Sequence, residues 1–111
     1  MKLLEQIKNS PGTIAFPDVI TYIDTNYNFT PTHFTNGNTV NEAGQNNGSC
    51  KIFSFAKLHN LTQDQTLALF GDYYRKDVLG NPEGTDHQNI RNFMQSGWDG
   101  IKFEGEALSE K

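Results

Sequence analysis

A chain of 111 residues with a net charge of −4 has room for one hydrophobic core and not for two. The acidic balance, without a run of five like charges, argues against a nucleic-acid phosphate binder and leaves neither an acidic tail nor a polybasic patch. Hydrophobic residues are scarce at 35% while aromatics reach 12%, so the core must be built from few, large side chains.

Leu3, Leu4 and Ile7 share one helical face, and Ser10-Pro11-Gly12 stops that helix. Pro17 suits a first helical turn, and Val19, Ile20, Tyr22, Ile23 and Tyr27 then keep a helical period that should end near residues 26–28. Asn36-Gly37 predicts a hairpin turn because both residues accept positive φ, with a strand about residues 39 and 40. Residues 41–48 show no period. They read as a structured loop feeding a helix that Ser49 can cap and that carries Ile52, Phe53, Phe55, Ala56 and Leu58. Thr62 and Gln65 form a capping box ahead of Leu67, Phe70, Tyr74 and Val78. Gly71, inside that pattern, marks a close helix crossing or a break. A second box, Thr85 with Gln88, opens a helix bearing Ile90, Phe93 and Met94, which Gly97 closes. Ile101-Lys102-Phe103 alternates as a strand, and residues 105–111 should fray. The strand near residue 101 has only the segment near residue 39 to pair with. The fold class that follows is an α-rich α+β domain, about five helices with a small two-stranded antiparallel sheet.

One cysteine cannot form an internal disulfide, and no apolar run approaches membrane-span length. Glu5 and Gln6 interrupt the N-terminal leucines before any signal-peptide core develops. The chain therefore reads as cytoplasmic in the cell that makes it, with no membrane and no nucleic acid among its partners.

The runs FTNGNTVNEAGQNNGSCKIFSFA, LFGDYYRKDVL and TDHQNIRNFMQSGWDGIKF resemble, in order, the HopJ type III effector family of small bacterial proteins. The likeness covers roughly residues 16–108. It implies a bacterial protein of a family named for an effector of plant pathogens, and so raises secretion into a host cell. It implies no particular catalytic mechanism or cofactor.

Chemistry concentrates around residues 41–50. Asn41, Glu42, Gln45 and Asn46 supply directional amide and carboxylate groups suited to a partner protein or a small polar ligand. His87, Arg91 and Trp98 are expected to frame that binding site. The plainer alternative has the loop groups stitching the loop to itself, Trp98 in the core, and Arg91 tying the loop down. A second function is a small Cys/His hydrolase or transferase. There Cys50 in a first helical turn is the nucleophile, His87 the base, and Gln45 or Asn46 an oxyanion donor. Against it stands a small, buried, helix-start cysteine. His33 and His59 have no spacing to Cys or carboxylates that makes a metal site, so neither metal nor cofactor is expected.

Overall fold

The structure, a computed structural model, describes residues 2–111. Helix α1, Lys2–Asn9, turns Leu3 and Ile7 into the core and gives way to a 3-10 turn at Pro11–Thr13. Helix α2, Phe16–Asn26, carries Pro17 in its first turn, where a missing N–H costs nothing, and buries Val19 and Ile23. It runs straight into strand β1, Tyr27–Phe29. Strands β2, Phe34–Asn36, and β3, Thr39–Asn41, form the expected hairpin one residue out of place. The connecting pair is Gly37-Asn38, and of these only Gly37 has positive φ, at 59°. Asn36 is thereby drawn into the strand and fully buried.

Helix α3, Asn47–Leu58, is the centre of the molecule. Residues 52–56 are all buried, so the helix is covered on every side rather than along one stripe. Phe53 alone meets Phe34, Phe70, Phe93 and Trp98, mostly in tilted or edge-on geometries that favour aromatic quadrupoles. This is how a sequence poor in aliphatics fills a core; each fully buried Phe contributes roughly 1.5–3 kcal/mol. Helix α4, Gln63–Ala68, starts with the predicted capping box, Thr62 and Gln65 bonding reciprocally.

Beyond α4 the helical pattern breaks at Gly71 and resumes as a π-helical segment, Tyr73–Val78. Helix α5, Gln88–Ser96, begins two residues later than the second capping box predicts. The box does not form because His87, not Thr85, is the cap, in left-handed conformation, and Gln88 turns its side chain back to the Thr85 carbonyl.

A 3-10 turn, Gly97–Gly100, leads to strands β4, Ile101–Phe103, and β5, Leu108–Glu110. The α-rich α+β class holds, but the sheets differ from the expected pair. Strand β4 pairs with β2, not β3, giving a three-stranded antiparallel sheet in the order β3-β2-β4. The register sets Phe34 opposite Phe103, whose rings stack 5.2 Å apart. A second, two-stranded sheet joins β1 to β5. Residues 105–111 therefore do not fray: Ala107 and Leu108 are buried, and the Lys111 N–H donates to the Asn26 carbonyl.

Candidate functional site

Asparagines fasten the hairpin to α5. Asn41, buried at the end of β3, and Asn89, buried in the first turn of α5, exchange amide hydrogen bonds of 3.1 and 3.0 Å. Asn46 donates to Asn41 Oδ1 at 2.6 Å, and Asn36 donates to both the backbone and side-chain oxygens of Asn89. Asn92 closes the set by donating to the Asn36 carbonyl and to Thr39 Oγ1. A buried amide left unpaired costs about 1–3 kcal/mol, so the members hold one another in place. Asn36 Oδ1 is the one buried oxygen of the set without a partner.

This lattice brings the starts of α3 and α5 to one cavity of about 450 Å³. Asn46 and His87 sit at the two caps, both left-handed with φ near 50°, and neither side chain caps its own helix. The first-turn N–H groups of both helices are left for water or a ligand, at the positive end of each helix dipole. Phe16, Phe70 and Tyr73 supply apolar walls, with Ser49 and Gln88 among the polar ones. Among the described residues, no Asp, Glu, Lys or Arg lines it.

His87 is held from two sides. Its ring lies against Tyr73, centroids 5.2 Å apart, and its Nε2 is 3.2 Å from Asp77 and 3.8 Å from Asp86. Tyr73 and Asp77 lie within one turn of the π-helical segment, so that segment presents both to one imidazole. Arg75 pins the same segment to the chain ahead of α2, donating to the Ile14 carbonyl at 2.6 Å. Phe16 is thereby brought edge-on to Tyr73, at 5.0 Å.

The predicted site residues part company. Asn46 and His87 line the cavity, and Asn41 stands behind it. Glu42 and Gln45 are exposed and stitch the loop to itself: Gln45 Oε1 accepts from the Glu42 N–H, and the Gln45 N–H donates to the Glu42 carbonyl. Cys50 is 1% exposed, donates weakly to the Thr32 carbonyl at 3.8 Å, and does not line the cavity. Burial pushes its thiol up, away from the thiolate a nucleophile needs. The Cys50–His87 pair of the hydrolase reading is not assembled, because the thiol faces inward while His87 Nε2 is turned to Asp77.

Arg91 does not frame the loop at residues 41–50. It is buried and gathers residues 81–86, donating to the carbonyls of Asn81, Pro82 and Asp86 and pairing with the Asp86 carboxylate at 2.6 Å. The guanidinium holds the Asp86 carboxyl below its usual range. Trp98 does not frame the loop either. It packs edge-on against Phe53 and Phe93 and donates its indole N–H to the Leu61 carbonyl. Phe16, which lines the cavity, and Asp77, which holds His87, are the site residues that sequence reasoning missed. Only the glycine break before Tyr73 hinted at them. Among the described residues, no group of three or more His, Cys, Asp or Glu could hold a metal ion, and no helix is long and apolar enough to cross a membrane.

A family model described as HopJ type III effector protein matches residues 1–108 of the chain. The crystal structure of unknown function protein VPA0580 is 55% identical, with a TM-score of 0.98; the match covers 99% of this chain and 92% of that one. No curated protein matches.

Proposed function

The chain belongs to the HopJ type III effector protein family, and from that premise we propose that it is a binding module for a small polar ligand, seated between the starts of α3 and α5. One observation carries the reading: a 450 Å³ cavity with aromatic walls, no charged carboxylate in its lining, and two helix starts whose amides face it. Such a site suits a ligand with an apolar or ring-shaped body and an anionic head. A concave pocket of this size favours a small molecule over a flat protein partner. Of the polar groups in the loop at residues 41–50, Asn46 meets the ligand and Asn41 positions it. His87 completes the site as a hydrogen-bonding group rather than as a base for Cys50.

Benzoate is the probe for this reading, with the full chain observed by amide NMR. Saturable shifts are expected at Gly48, Ser49, Gln88 and Asn89. His87→Asn, which keeps a residue tolerant of left-handed backbone, should weaken binding about tenfold, equivalent to ~1.4 kcal/mol. Tyr73→Leu should weaken it to a similar degree while the far-ultraviolet circular dichroism stays unchanged. Amides that do not move at any benzoate concentration, or variants that bind as the wild type does, would refute the proposal.

A further inference from the structure

A glycine that follows an asparagine permits a reaction within the chain. The glycine amide nitrogen can attack the asparagine side-chain carbon, and glycine, having no Cβ, obstructs that approach least. The chain holds this dipeptide twice, at Asn36-Gly37 and Asn47-Gly48. Asn36 is fully buried and its amide donates to the backbone and side-chain oxygens of Asn89. The Gly37 N–H donates to the Gly100 carbonyl at 2.9 Å. At that position both reacting groups are tied down.

Asn47 is placed the other way. It is exposed at the first position of α3, and among the described residues its side chain makes no hydrogen bond. The earliest bond of the helix runs from the Cys50 N–H to the Asn46 carbonyl, so the Gly48 N–H is a first-turn donor without an intrahelical acceptor. Residues 42–46 ahead of it are all exposed, and only the outermost turn has to open for the two groups to meet. Packing also favours glycine after Asn47, because a Cβ at Gly48 would lie 3.0 Å from Phe16 Cζ.

We propose that Asn47 is a self-modifying site, which converts slowly to aspartate or isoaspartate and thereby turns down the neighbouring ligand cavity. The Gly48 nitrogen gives its proton to water or hydroxide and bonds to the Asn47 side-chain carbon; the bond to Nδ2 breaks and ammonia leaves. The cyclic imide so formed takes up water. Breaking its bond between the Gly48 nitrogen and the side-chain carbonyl gives aspartate, and breaking the bond to the main-chain carbonyl gives isoaspartate. Either product adds a carboxylate between Asn46 and Gly48, both of which line the cavity. That charge sits at a helix start whose free amides suit an anionic head, and it repels such a head. The effect on binding rests on the function proposed above; the conversion itself does not.

The full chain, kept folded at pH 8 and sampled over weeks, tests the chemistry through released ammonia and the masses of its proteolytic peptides. Conversion should run at least tenfold faster at Asn47 than at Asn36. Asn47→Gln keeps the amide but closes the ring far less readily, so it should abolish most of the ammonia release while binding benzoate as the wild type does. Asn47→Asp, made directly, should melt no lower than the wild type, since an acid in the first turn favours a helix, and should bind benzoate at least fivefold more weakly. Conversion no faster at Asn47 than at Asn36, or ammonia release that Asn47→Gln leaves unchanged, overturns the proposal. Equal benzoate affinity in Asn47→Asp and the wild type overturns the effect on binding. A wild type that ignores benzoate removes the function proposed above and that effect with it, while the peptide masses still decide the conversion.

Discussion

Cys50 illustrates how one turn of helix geometry decides a side chain's chemistry. As the fourth residue of α3 it shares a face with Phe53 and Ser54, three and four positions on, and that face is buried. The sequence carried this information, because Phe53 is an obvious core residue; proximity to the helix start outweighed it. Burial raises the thiol above its free value of ~8.5, so the unfolded chain ionises first as pH rises. The stability linked to this group is therefore fully present below the unfolded value and is lost as pH climbs through the folded one. Iodoacetamide at pH 8 should label native Cys50 at least a hundredfold more slowly than the denatured chain, and His87→Asn should not alter that rate. Rapid native labelling that depends on His87 would restore the nucleophile. Arg91 makes the complementary point: a cation near a polar loop invites a binding role, but four donor contacts to residues 81–86 use it up structurally.

At the scale of elements, the segment joining α4 to α5 holds the clearest strain. Gly71 has φ of +60°, and a Cβ there would lie 2.7 Å from the Phe16 backbone nitrogen. It is both the break and the close crossing that the sequence left open. Gly71→Ala should cost about 2 kcal/mol or more, read as a lowered denaturant midpoint with an unchanged slope. A midpoint within error of wild type would mean that Phe16 can retreat freely. Helix faces, the Thr62 capping box and the start of α2 were legible because each depends on residues within one turn of one another. The second capping box failed because His87 offered a competing left-handed cap, supported by Tyr73 and Asp77 from another segment. The site shows the same division. Asn46 and His87 announce themselves beside helix starts, whereas nothing local in residues 73 or 77 says that they converge on His87, or in residue 16 that it walls the same cavity.

For the whole molecule, the two small sheets brace α3 from different parts of the chain. Strand β5 was the least legible element, being short, polar at two of three positions and next to two glutamates. Pairing with β1 and burial of Ala107 and Leu108 override its weak propensity. Removing residues 107–111 should therefore lower the melting midpoint by on the order of 10 °C, since Leu108 alone contributes roughly 1.5–3 kcal/mol. An unchanged melt would show that β5 is dispensable. The pairing also imposes an order in time. Tyr27, which meets Phe55 edge-on, is made about eighty residues before Glu110, its partner in the ladder. A chain synthesised amino end first keeps that seam open until β5 arrives, so the sheet that joins the two ends of the chain can close only after synthesis is complete.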